Sequence, residues 1–291
     1  MHGAAPAFAA ACCFGCMAAL VKLASAEASF QLLVFLRAFF GLCVVAPFAL
    51  SQGIHYLKTA RIRLHVLRAI VSTCALSCFY FAVSQIGLAE SLVLNASSPL
   101  FIGMIAIFLL DENLDRRTIF ALGIGFLGVV LLLKPSVGVF QVGAIVGAFS
   151  GVFIALGKVF IRKMADTEPV LRIVFYFGLF STFICMLPLI WLWEIPSRFV
   201  VACMLAGAAL GTVGQIFLTY AFSRNRAARV APFTYVSVVF GGFLGWVIWD
   251  ELPDNLTIAG TVLVMSGCLL MLSKPQQSGP WLESKSINNV P

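Results

Sequence analysis

Charge is scarce in this chain. Of its 291 residues only 11% are Asp, Glu, Lys or Arg while 61% are hydrophobic, and no polar break is long enough to hold a soluble catalytic or nucleotide-binding domain. Histidine is nearly absent: His2, His55 and His65 sit at the chain start and in one polar break, and they supply neither a triad nor a metal-ligand set. No phosphate-binding loop of the ATPase type occurs, so any energy for work comes from a solute or ion gradient. Asp, His and Ser do not cluster at depth as an intramembrane enzyme requires, and no acidic stripe or filter-like ring suggests a channel. Ala24-Ser25-Ala26 before Glu27 has the small-residue pattern of a signal-peptidase site, but the basic segment that should precede it is missing. The first apolar stretch is therefore read as a retained helix.

Apolar runs of membrane-spanning length dominate what is present. A bilayer core about 30 Å thick needs roughly 20 apolar residues per helix. Such runs are predicted near 5–25, 29–50, 67–87, 91–110, 117–134, 140–161, 169–192, 198–220, 230–249 and 255–273. The expected fold class is an all-α polytopic membrane protein with ten transmembrane helices. Gln276 to Pro291, rich in Ser, Asn and Pro, reads as a disordered tail.

The net charge of +7 would suggest a nucleic-acid partner in a soluble protein. Here its distribution sets orientation instead, and no nucleic acid is expected. Basic residues gather in the second break (Lys58, Arg61, Arg63, with Arg68 beside it), the fourth (Arg116, Arg117), the sixth (Arg162, Lys163) and the eighth (Arg224, Arg226, Arg229). The odd breaks carry mainly Glu27, Glu90, Glu194, Asp250, Glu251 and Asp254. By the positive-inside rule the even breaks and both termini face the cytoplasm.

The chain also repeats itself. An offset of 139 residues superposes Phe79–Leu133 on Leu218–Leu272 without a gap. Ser98 then meets Ser237, Asp111-Glu112 meets Asp250-Glu251, Asp115 meets Asp254 and Gly128 meets Gly267. A weaker copy pairs Gly15 with Gly151 and Lys22 with Lys158. Each unit holds five spans, an odd number, so the second unit crosses the membrane upside down. The charges agree: Arg116 and Arg117 align with Asn255 and Leu256, whereas Gly87 and Glu90 align with Arg226 and Arg229. Inverted repeats enclosing a midplane site suit alternating access, so a secondary transporter is the leading functional class.

Two copies of a unit that ends in a span with Pro99, a Glu at its end (Glu112, Glu251) and a Gly-rich last helix resemble the EamA repeat of the drug/metabolite transporter superfamily. The resemblance implies two inverted five-helix EamA repeats, residues 1–135 and 136–275, with 276–291 as a cytoplasmic tail. Leu57-Lys58-Thr59-Ala60-Arg61 through Arg68, Ala221-Phe222-Ser223 with Ala231-Pro232-Phe233-Thr234-Tyr235, and Glu251-Leu252-Pro253-Asp254 are similar to stretches of bacterial S-adenosylmethionine uptake transporters. That subgroup often carries a basic residue where this chain has Thr234. The implied function is inner-membrane uptake or exchange of S-adenosylmethionine. Export of amino acids or related metabolites is the alternative, with a membrane-embedded enzyme or a channel as readings of another class.

Candidate pathway residues follow from the cost of polar groups at depth, about 2.5–3.5 kcal/mol for an ionised side chain on insertion scales. Arg37 lies about eight residues, roughly 12 Å, into the second span, too deep to snorkel easily. It reads either as a structural partner of carbonyls or as a substrate contact. Lys22 and Lys158, near helix C-terminal ends, read as dipole-compensating snorkels or as cations at opposite mouths of one cavity. Asn95-Ala96-Ser97-Ser98-Pro99 combines a helix breaker with polar side chains. Its counterpart, Thr234-Tyr235-Val236-Ser237, adds a ring for stacking. Tyr80, Gln215 and Tyr220 complete the expected substrate-binding set, and Glu112 and Glu251 join Lys22 as gating or coupling groups. Trp246 is a weaker candidate, and Trp249, beside Asp250, reads as an interfacial anchor.

Other motifs read as packing. Gly123-Ile124-Gly125-Phe126-Leu127-Gly128 spells a dinucleotide fingerprint but lies inside an apolar span with no preceding strand. Gly143, Gly147 and Gly151, and Gly207 with Gly211, have the spacing of close helix contacts. Cys13-Phe14-Gly15-Cys16 has redox spacing, yet all nine Cys lie in or beside apolar runs. No metal or cofactor is expected. The partners expected are a small-molecule substrate and the lipid bilayer, with monomer and homodimer both open.

Overall fold

The computed structural model describes residues 4–101, 116–133, 142–164, 166–224 and 235–272. Ten α-helices run through them: α1 (Ala4–Ala24), α2 (Phe30–Ser51), α3 (Ile62–Gln85), α4 (Leu88–Ala96), α5 (Arg116–Leu132), α6 (Val142–Met164), α7 (Val170–Leu192), α8 (Arg198–Arg224), α9 (Val236–Trp249) and α10 (Asn255–Leu272). They coincide with the predicted spans to within a few residues, apart from the interrupted fourth and the start of the ninth, whose residues 230–234 lie outside the described ones. Six are long and apolar enough to cross a membrane. Side chains such as Trp191 (81% exposed) and Phe120 (65%) face outward, the inverse of a soluble surface and the arrangement expected where lipid is the solvent.

Pairing among the helices repeats with the sequence. α1 packs on α8, and the equivalent α6 packs on α3; α2 packs on its own counterpart α7, and α5 on α10. The last contact is backbone to backbone. A Cβ at Gly128 would lie 2.7 Å from the Gly260 carbonyl oxygen, and one at its repeat partner Gly267 2.7 Å from that of Ala121. Small residues let apolar helices approach this closely where no hydrophobic effect drives association. Gly123 meets nothing within 4 Å, so the spelled-out fingerprint is only partly a packing motif and contains no strand.

The fourth span departs from the expectation of one continuous helix over 91–110. α4 stops at Ala96, the chain turns at Ser97, and helix resumes over 98–101. Pro99 lacks an amide hydrogen and its ring would clash with the carbonyl four residues back. The break sits there for that reason. Residues 102–115 and 225–234, with Glu112 and Thr234, lie outside the described residues.

The second polar break is shorter than expected. α3 begins at Ile62, so His65 and Arg68 belong to a helix and are buried, each 1% exposed. Their shared face holds the α7 end: the Arg68 guanidinium donates to the Ile173 carbonyl at 3.0 Å and lies over the Phe177 ring. Glu168, in the turn before α7, accepts from Thr59 at 2.6 Å and Arg172 at 2.8 Å and stands 3.5 Å from His65 Nε2. Burial alone would raise the Glu168 carboxyl, but the bonds from Thr59 and Arg172, with the charges of Arg172 and His65, hold it below the usual carboxylate range. Arg61 donates to the Lys163 carbonyl at 2.9 Å. The second and sixth breaks therefore meet at one end of the molecule. At the other, Ser197 donates to Glu27 and the Ser29 amide donates to Glu194, joining the first and seventh.

Candidate substrate pathway

An open cleft of about 760 Å³ lies at the end of the molecule where α1 stops and the α3–α4 and α9–α10 connections meet. Its position depends on one backbone feature. Asp250 adopts a left-handed conformation (φ 55°) after α9, a state Asp tolerates better than most residues. The amides of Asp250 and Glu251 then return to the Trp246 and Gly245 carbonyls. This turns the Glu251 carboxylate inward, where it accepts from the Leu88 amide at 3.0 Å and pairs with Lys22. The Trp249 ring lies 5.3 Å from the Lys22 ammonium. It lines the cleft instead of serving only as the interfacial anchor expected from sequence. Across the cleft Thr257 donates to Glu90 at 2.6 Å.

Two polar groups lie deeper in the helices. In the first, Arg37 is 6% exposed and NH1 approaches the Thr212 hydroxyl of α8 at 3.5 Å. Its guanidinium is bounded by bare backbone: a Cβ at Gly41 would come to 2.5 Å from NH1 and one at Gly211 to 2.6 Å from NH2. Tyr80 of α3 is fully buried. Among the described residues, the Arg37 Nε and the Tyr80 hydroxyl have no hydrogen-bond partner. A void of about 10 Å³ is lined by Arg37, Gly41, Thr212 and Gln215 among others. No carboxylate pairs with Arg37 among the described residues, and a buried charge without a partner is expensive.

The second group joins α4 to α6. Asn95 Nδ2 donates to Ser150 at 3.4 Å, and the Lys158 ammonium donates to Ser98 at 2.7 Å. The polar segment around Pro99 thus makes helix-to-helix bonds in this conformation. Tyr235 caps α9 and is 3% exposed, whereas Tyr220 is 41% exposed on α8. The structure therefore brings Arg37 and Gln215 to one place, Asn95, Ser98 and Lys158 to another, and Lys22 with Glu251 to the cleft, while Tyr80 is buried on α3 with no hydrogen bond to Arg37 among the described residues. Sequence reading missed Thr212, His65 and Glu168. The one-turn spacing of His65 and Arg68 was the available signal for a buried polar face on α3.

Comparison with known proteins decides the family. A profile of the EamA-like transporter family matches residues 1–134 and again 141–273. The chain belongs to the EamA-like transporter family. It is a multi-pass membrane protein, and its relatives are named as transporters. The pseudopaline exporter of Pseudomonas aeruginosa is 34% identical over 266 residues, covering 89% of this chain and 91% of the relative. The S-adenosylmethionine uptake transporter of Rickettsia prowazekii is 26% identical over 244 residues, covering 84% and 83%. One solved structure shares this chain's fold with a TM-score of 0.65 at 20% identity, over 92% of this chain and 96% of the other.

Proposed function

We propose that the chain is a secondary transporter that moves a small polar metabolite across the inner membrane by alternating access, with both termini cytoplasmic. The observation that carries this reading is Arg37. It is a buried cation of α2 in the first repeat, beside Thr212 of α8 in the second, with a donor that no group among the described residues claims. A structural arginine is normally satisfied by its surroundings. An arginine held unsatisfied at the junction of two inverted units suits a site that a solute completes and that each unit in turn exposes.

S-adenosylmethionine uptake or exchange is the first substrate reading, supported by the Rickettsia relatives and by the stretches quoted above. Export of an amino-acid-related metabolite is the second, favoured by the higher identity, 34% against 26%, to the pseudopaline exporter. The test is counterflow of labelled S-adenosylmethionine into proteoliposomes preloaded with unlabelled compound. Accumulation above empty liposomes, reduced at least tenfold in Arg37→Ala and lowered in Lys158→Ala and Asn95→Ala, is expected. No accumulation by folded protein removes the first reading and leaves export.

A further inference from the structure

We propose that the cleft is a binding site for a small organic cation, an alkylammonium or sulfonium group, and that Lys22 is the tethered occupant such a group displaces. This site shares no lining residue with the void at Arg37, and it requires neither substrate reading to be right.

The cleft already holds one cation, and the groups that hold it are built for the purpose. The Lys22 ammonium pairs with the Glu251 carboxylate, donates to the Ile86 carbonyl at 3.4 Å and lies 5.3 Å from the centre of the Trp249 ring. A carboxylate, a carbonyl dipole and an aromatic face each attract positive charge. None of the three depends on the lysine for its position. Glu251 follows the left-handed turn at Asp250, and its other oxygen accepts from the Leu88 amide at 3.0 Å. Ile86 caps α3, its amide returning to the Ala82 carbonyl at 2.9 Å, and Trp249 closes α9. The site therefore persists when the lysine leaves it.

The surroundings favour a solute of the same sign. Among the described residues that line the cleft, Glu90, Asp250 and Glu251 are acidic and Lys22 alone is basic. This formal surplus of negative charge draws cations in and repels anions. The volume of about 760 Å³ is that of a small-molecule site, and the Glu251 side chain is 32% exposed, within reach of a solute. A primary ammonium is a strongly hydrated point charge, whereas a quaternary ammonium or sulfonium group suits an aromatic face. The solute thus competes through its chemistry, and Lys22 competes through its tether, which supplies an effective concentration on the order of millimolar.

Detergent-purified protein is titrated with radiolabelled choline, and neohexyl alcohol, which is choline with carbon in place of nitrogen, is offered as competitor. Choline is expected to bind the native protein and to bind Lys22→Ala at least about tenfold more tightly, because the tethered competitor is gone. Neohexyl alcohol displaces it from neither. Lys22→Arg restores a tethered cation and brings the affinity back towards the native value. In the Lys22→Ala background, Glu251→Gln removes the gain and Trp249→Leu weakens binding severalfold. Lys22→Met, which keeps the length of the stem, takes the place of Lys22→Ala if that variant does not fold. If neither folds, Trp249→Leu alone is expected to bind choline severalfold more weakly than the native protein. No gain in affinity on removal of Lys22, displacement by neohexyl alcohol, undiminished binding after Glu251→Gln or Trp249→Leu, or no choline binding to any folded form overturns the proposal. S-adenosylmethionine counterflow without choline binding refutes the cation site alone, and choline binding without counterflow refutes that substrate alone.

Discussion

Lys22, in the last turn of α1, is joined by an ion pair to Glu251, 229 residues further along the chain and just beyond α9. The repeat equivalent of Lys22, Lys158, donates to Ser98, inside the fourth span.

The Lys22–Glu251 pair links the first repeat to the second at the cleft, and Glu251 also holds the Leu88 amide. Lys22→Ala and Glu251→Gln are expected to loosen this end. A cysteine placed at Ala89, which lines the cleft, should react severalfold faster with a membrane-impermeant thiol reagent in either background. The double exchange Lys22→Glu with Glu251→Lys should restore much of the slower rate, and unchanged rates in all three would show that the pair closes nothing.

Glycine positions along α5 separate close packing from open surface. Gly128→Ala places a methyl 2.7 Å from the Gly260 oxygen and the Val264 nitrogen, both backbone atoms of α10 that cannot rotate away. Overpacking of this kind costs about 1–3 kcal/mol, so Gly128→Ala is expected to lower the unfolding temperature measurably in detergent. Gly123→Ala, with nothing within 4 Å, should leave it unchanged or slightly raised.

Glu168 predicts an acid-dependent loss of stability. Its carboxyl is held below its ordinary value of 4.5 by Thr59, Arg172 and His65, so its contribution is full above about pH 4.5 and disappears as pH falls through the lower folded value. The unfolding temperature of the native protein should exceed that of Glu168→Gln at neutral pH. The two curves should converge below about pH 4.5, and a difference that stays constant with pH would assign the effect to packing alone.

Orientation is tested by reporter fusion. A reporter after Pro291 should be cytoplasmic, and one at Asp254 should be exposed outside, because basic residues gather in the even-numbered breaks. Reporters on the same side would exclude the upside-down arrangement of the second repeat.

The spans themselves were readable from hydropathy because a bilayer imposes one length and one polarity on every crossing segment. The repeat was readable because both copies retain residues at matching positions, such as Ser98 with Ser237 and Asp111-Glu112 with Asp250-Glu251. The sites were less legible. Arg37 could be picked out as a charge at depth, but nothing in sequence tied it to Thr212, 175 residues away, or to backbone at Gly211. Trp249 read as an anchor because its place at a span end is the same whether the ring faces lipid or a lysine.

What the sequence by itself determined is therefore what is set by the solvent and by local chemistry: ten apolar spans and two copies of one unit. What only tertiary structure decided is which polar groups meet. Lys22 found Glu251 through a left-handed turn at Asp250, and Arg37 came to lie between two glycine backbones with its Nε unclaimed among the described residues. Insertion into lipid follows from each segment's own transfer energy, whereas pairing among segments follows from shape complementarity over distances in sequence that no local pattern encodes.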